Sequence, residues 1–172
     1  MEAEWYDIRE SEAKKMGYLL ELRQTVGSRP LISVGATILV LNEYGELLFQ
    51  HRSDTNDWGL PGGSMELNET LEEVAARELN EETGLETNQF ELVGVCSGPK
   101  FYFKYPNGDE THSVINLFHA KRVQGTLAMN DEESLDLQYF SRADLPPDIE
   151  SRAQALIDQF GDALWELESS FT

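Results

Sequence analysis

Apolar positions along the chain follow two periods. The run LISVGATILVL at 31–41 is continuous, rich in β-branched residues, and predicts a buried strand. ELLFQHR at 46–52 predicts a second strand, and the turn residues NEYG between the two predict a hairpin. Further strands are expected at about 90–97, 100–105, 114–123 and 135–140, with YPNGDE at 105–110 as a hairpin turn. Helical spacing takes over elsewhere. Leu71, Ala75 and Leu79, with Val74 beside them, predict a helix over 70–83 that Gly84 ends. Ile149, Ala153, Leu156, Ile157, Phe160 and Leu164 predict another amphipathic helix. Trp5, Ile8, Met16, Leu19, Leu20 and Leu22 give a ragged stripe and a weaker N-terminal helix over about 5–26, interrupted by Gly17. SDTND and WGLPGG read as loop. Helix, two strands, helix, several strands and helix together predict an α/β (α+β) fold, a mixed β-sheet with helices packed on it.

The length of 172 residues fits one domain. It divides into an N-terminal helical extension and linker at 1–30, a central domain at 31–147, and a C-terminal helix at 148–172 packed on that domain. No apolar run reaches the length of a membrane span, and the acidic N-terminus lacks the basic and apolar regions of a signal peptide. The one cysteine, Cys96, cannot form an internal disulfide. A cytoplasmic location is expected, with no membrane partner. Cys96 and His119 read as packed strand residues, while His112 lies beside an aromatic loop. Trp58 is expected to pack on the loop that follows it.

Charge changes the picture. Thirteen Lys and Arg against thirty-two Asp and Glu give a net charge of −19. Such a chain has no general attraction for nucleic acid, so a phosphorylated ligand needs a local reversal of sign. The acids are unevenly spread: residues 63–85 hold seven Glu against one Arg. On a helix turning about 100° per residue, Glu78, Glu81 and Glu82 share one face. Glu78 and Glu82 form a like-charge i, i+4 pair, and carboxylates near a helix C-terminus oppose its dipole. Two readings fit these carboxylates alone: a solvated acidic face, or a site for a hard, oxygen-seeking divalent cation. Gly62 and Gly63 upstream permit close backbone approach, and Glu66 and Glu69 lie in the connection to the helix.

With those positions in place, GSMELNETLEEVAARELNEETGL at 63–85 resembles the Nudix (MutT-type) box. Gly63, Glu69, Arg77, Glu78, Leu79, Glu81, Glu82, Gly84 and Leu85 each occupy a specified place, and WGLPGG before them is also typical of that family. The resemblance spans about 31–147. It implies a Nudix α/β/α sandwich and a Mg²⁺-dependent pyrophosphohydrolase, with Mn²⁺ as a substitute ion. The substrate implied is a small nucleotide, a nucleoside diphosphate linked to another moiety. It further implies Glu78 and Glu82 as principal metal ligands, Glu81 and the Gly63 carbonyl as additional ones, Arg77 as the group that orients glutamates, and Glu69 as support or as ligand to a shared metal. Glu132 or Glu133 would supply a further acid from a later loop, Glu133 fitting better. Many family members are homodimers.

Substrate choice lies outside the box. Arg52 is a candidate phosphate contact. In SGPKFYFKYPNGDETH at 97–112, strand alternation lets either Phe101, Phe103 and Tyr105 or Tyr102 and Lys104 face a ligand; Tyr102 and Lys104 are taken as candidates. Family spacing rules divide between ADP-ribose hydrolysis, through Pro99, and dinucleoside polyphosphate hydrolysis, through Tyr102. Nucleoside triphosphates and a non-catalytic nucleotide-sensing module are the alternatives.

Overall fold

The computed structural model describes residues 17–129 and 133–172. In chain order the elements are α1 (Tyr18–Val26), β1 (Leu31–Leu39), β2 (Leu47–Arg52), β3 (Trp58–Gly59), β4 (Gly62–Ser64), α2 (Leu71–Thr83), β5 (Leu85–Glu86), β6 (Gln89–Cys96), β7 (Tyr102–Lys104), β8 (Glu110–Lys121), β9 (Gln124–Gly125), β10 (Ser134–Phe140) and α3 (Ser151–Phe160). Short 3-10 turns at Pro99–Phe101 and Gly161–Leu164 flank β7 and α3. The main sheet runs β4-β1-β8-β6, with β7 beside the start of β8. It is mixed, because β1 and β8 are parallel while β4, β6 and β7 pair antiparallel. A second sheet runs β10-β2-β3.

Strand alternation explains the layers. Leu39, Leu41, Leu47, Phe49 and Leu117 point into a core shared with Leu156 and Ile157 of α3. Their neighbours Ile38, Val40, Leu48 and Phe118 point the other way, against Val74, Ala75 and Leu79 of α2. From Ile38 to Leu41 the chain is buried on both faces and has no polar side, whereas Ile32 and Val34 nearer the start of β1 are exposed. The helices therefore cover opposite faces, an α/β/α arrangement. Cys96 and His119 are both buried, at 2% and 0% exposure.

Four features differ from the sequence reading, the first being that WGLPGG, read as loop, carries the short strands β3 and β4. The expected hairpin of β1 and β2 exists only at its turn, where Asn42 N–H donates to the Glu46 carbonyl and Leu48 N–H to that of Val40. Beyond it β1 is claimed by β4 and β8, so β2 departs into the second sheet. The strand expected from residue 100 begins two residues later. Pro99 starts a 3-10 turn instead and Phe101 is buried in the core. Trp58 stacks on His51 with ring centroids 4.9 Å apart and meets Phe140 edge-on, in the α3-side core rather than on the following loop. The N-terminal helix begins at Tyr18 with Gly17 as its N-cap, and residues 5–16 of the stretch read as helix lie outside the described residues. Among the described residues no helix is long and apolar enough to cross a membrane.

Candidate active site

Helix α2 is fixed at both ends by its own sequence. Thr70 accepts from the Glu73 N–H, and the Glu73 carboxylate accepts from the Thr70 N–H at 2.7 Å, a reciprocal capping box. At the other end Gly84 adopts a left-handed conformation, φ 71°, and donates to the Asn80 carbonyl at 2.9 Å. Between the caps, Val74, Ala75 and Leu79 bury one stripe. That burial sets the rotation of the helix, which turns Glu78 and Glu82 toward strand β4.

Arg77 organises the acidic face. Its Nε and Nη2 donate to the two oxygens of Glu69 at 2.6 and 2.9 Å, a bidentate pair. Its Nη1 reaches Glu78 at 2.6 Å and Glu81 at 3.3 Å, and Nη2 also reaches the Ser64 carbonyl at 3.1 Å. Glu69 is held from the other side by the Glu66 N–H at 2.9 Å. The arginine beside it keeps the Glu69 carboxyl below its usual range. Glu66 in turn accepts the Tyr18 N–H of α1 at 2.7 Å.

Glu82 is 2% exposed and accepts the Gly62 N–H at 2.8 Å. Burial, then the nearby Glu78 charge, raises its pKa to about 8. Burial likewise raises Glu78 to about 7, against the pull of Arg77 and with added repulsion from Glu81 and Glu133. Gly63 lies against Glu78 so closely that a Cβ there would collide with the carboxylate. Its carbonyl oxygen lies over Gly35 of β1, close enough to exclude a Cβ at that position as well.

These residues fit a divalent cation. Two buried carboxylates repel each other, both hold onto protons, and a glycine backbone leaves room beside them; a hard cation with oxygen ligands relieves all three conditions. Among the described residues no three His, Cys, Asp or Glu side chains already form a closed metal cage. Glu78 is turned to Arg77 and Glu82 to Gly62.

The acidic face is one wall of a cavity of about 1100 Å³. Glu78, Glu81, Glu82, Gly63 and Glu133 line it, whereas Glu69 stands behind Arg77. Glu132 lies outside the described residues. Arg52 also lines the cavity, bonded to Asp54 at 3.0 and 2.8 Å and near enough to Glu82 for the two charges to attract. Tyr102 and Lys104 are placed on the other face of β7, both exposed, with the Tyr102 hydroxyl donating to Glu110 at 2.6 Å. His112 sits 5.2 Å from the Tyr102 ring on that same face. Of the two alternating sets, the one containing Tyr105 meets the cavity. The sequence reading passed over Arg152 of α3, which also lines it. The available signal was weak: residues 131–172 hold two arginines among eleven acids.

Known proteins share this arrangement of box and sheet. A model of the NUDIX domain matches residues 31–160. The chain belongs to the Nudix hydrolase family. The Nudix chain is 36% identical over 112 residues to a Bacillus subtilis (strain 168) protein that carries the name of an 8-oxo-dGTP diphosphatase; the match covers 65% of this chain and 68% of that protein. It is 43% identical over 72 residues to an RNA pyrophosphohydrolase of Marinomonas sp. (strain MWYL1), covering 42% of each, so the chain spans under half the length of that relative. The crystal structure of a MutT NUDIX hydrolase from Burkholderia pseudomallei superposes with a TM-score of 0.61 at 24% identity, over 75% of this chain and 98% of that one.

Proposed function

We propose that this Nudix hydrolase cleaves the phosphoanhydride bond of a nucleoside diphosphate linked to another group, with Mg²⁺ bound at Glu78 and Glu82 and Mn²⁺ able to replace it. The observation that carries the proposal is the pair of adjacent buried carboxylates on α2, with pKa values pushed up to about 7 and about 8, facing a cavity large enough for a nucleotide. Arg77 and the Gly62 N–H each hold one of the two carboxylates, and a cation beside them would relieve the repulsion that remains. The ion, when bound, neutralises phosphate charge and lowers the pKa of water.

The chain's own residues supply the rest. Arg77 holds Glu78 and Glu81 in place while Glu69 fixes Arg77, a support shared by four side chains. Glu133, on the cavity lining, accepts the proton of the attacking water at its carboxylate. Burial of Glu82 keeps bulk water from competing for its oxygens. The group linked to the diphosphate is the open variable. The name of the Bacillus relative favours a further phosphate, and the position of Pro99 favours a ribose.

A panel of nucleoside triphosphates, ADP-ribose, nucleotide sugars and dinucleoside polyphosphates, assayed with Mg²⁺, with Mn²⁺ and with chelator, tests the reading. Metal-dependent release of phosphate or a nucleotide from at least one compound is expected. Turnover of none, or turnover indifferent to chelator, would defeat it.

A further inference from the structure

Arg152 lines the same cavity as the glutamates, in a pocket of fixed groups. Its Nε donates to the buried Glu150 at 2.7 Å, and its Nη1 to the Tyr105 hydroxyl at 3.3 Å. The guanidinium lies 4.2 Å from the centroid of the Phe103 ring and 5.6 Å from that of Tyr105. Phe103 and Tyr105 meet edge to face at 4.8 Å. Glu150 is itself locked as the N-cap of α3, accepting from the N–H groups of Arg152 and Ala153. Arg152 is thus stacked, tethered and only 16% exposed at its side chain.

Arg52 belongs to the same wall. A Cβ on Gly59 would stand 3.2 Å from its Cδ and 3.8 Å from the Cβ of Glu150, so Gly59 keeps Arg52 and the start of α3 side by side. Burial works against the Arg52 charge, but the Asp54 bonds outweigh it and hold the guanidinium ionised. In a chain of net charge −19, two half-buried arginines, each paired with one carboxylate, line the cavity that the α2 glutamates also line. Stacking on an aromatic face fixes the orientation of a guanidinium, so that an N–H facing the cavity can be offered to an anion there.

Resting on the hydrolase reading of the glutamate wall, we propose that Arg152, with Arg52, is an anion-binding pole of the cavity. It takes a phosphate group of the substrate that the metal wall does not hold. Arg152 is then a substrate-binding residue from outside the Nudix box, and it orients the diphosphate across the cavity.

The test uses Arg152→Met, which keeps a flexible apolar stem on Phe103 and removes the donors, beside Arg152→Lys and the surface variant Arg142→Ala. Inorganic pyrophosphate binding is measured by calorimetry with and without Mg²⁺, together with KM and kcat on whichever panel compound turns over. Arg152→Met is expected to weaken pyrophosphate binding and raise KM roughly tenfold, with a smaller change in kcat. Arg152→Lys recovers part of the loss and Arg142→Ala shows none. A melting curve like that of the wild type establishes that Arg152→Met folds; if it does not, Arg152→Lys alone carries the comparison through its partial loss. Unchanged pyrophosphate affinity in the folded variants, or no pyrophosphate binding to wild type, overturns the proposal. Failure of wild type to hydrolyse anything overturns the hydrolase reading instead, and the calorimetry still reports on Arg152.

Discussion

Apart from Glu133, the glutamate wall of the cavity comes from residues 63–84, a single loop and helix, whereas the arginine wall draws Arg52 from β2, Tyr105 from the β7–β8 turn and Arg152 from α3. The first is held by bonds between near neighbours: Arg77 to Glu69, Glu78 and Glu81, and Glu66 to Glu69. The second exists only once the sheets and α3 have packed. Chemistry that needs fixed carboxylate spacing is encoded locally. Recognition is assembled from elements far apart in the chain, where it can vary without disturbing the helix.

If that contrast is right, the glutamate wall has one weak point. Arg77→Ala leaves Glu69, Glu78 and Glu81 without their shared cation and should reduce kcat/KM by about 10–100-fold, the usual cost of losing the support behind metal ligands. Metal affinity should fall with it, while pyrophosphate binding at the arginine wall in chelator stays the same. A drop in both would mean that the walls are not independent.

Apart from Glu133, the acidic wall was legible because its elements are local. The capping box, the apolar stripe and Gly84 define α2, and i, i+4 geometry then places Glu78 and Glu82 on one face. The arginine wall was not. Alternation along 101–105 left two sets of side chains open, and only the packing of α3 on β7 selects the one with Phe103 and Tyr105. The turn at 42–46 was equally visible, yet the partner of β1 was not, because strand pairing with β8 is a contact between residues about eighty positions apart. Pro99 carried its own local warning against a strand, which the aromatic run beside it outweighed.

The second prediction concerns the two carboxylates whose pKa values are raised. Glu78 and Glu82 have folded-state pKa values near 7 and 8, above the ordinary 4.5, so the folded state binds protons more readily than the unfolded one. Stability of the metal-free protein must then fall as pH rises from about 4.5 to 8. Glu69 and Asp54 are shifted the opposite way, and their contribution is lost only at lower pH. In chelator, the melting temperature should therefore decline between pH 5 and pH 8. Glu82→Gln, which can still accept the Gly62 N–H, should flatten the decline. A wild-type profile that stays level, or one that the variant leaves unaltered, contradicts the burial account of the site.

The smallest effect separates scaffold from chemistry. Thr70→Ala removes one half of the capping box and should cost about 1 kcal/mol in denaturant unfolding. Because Arg77 and Glu69 still hold the face, kcat should stay within about a factor of two of wild type once the protein is folded. A large loss of kcat at unchanged stability would show that the cap orients the glutamates directly.

The central claim is that the buried glutamates make a metal-dependent hydrolytic face. It is tested most directly by titrating Mg²⁺ against the hydrolysis rate of the best panel substrate, for wild type and Glu82→Gln in parallel. The account predicts no rate without metal, saturation for wild type, and a rate at least roughly a hundredfold lower for Glu82→Gln at every Mg²⁺ concentration. A wild-type rate that does not need the ion, or a Glu82→Gln curve that overlays it, would contradict the claim.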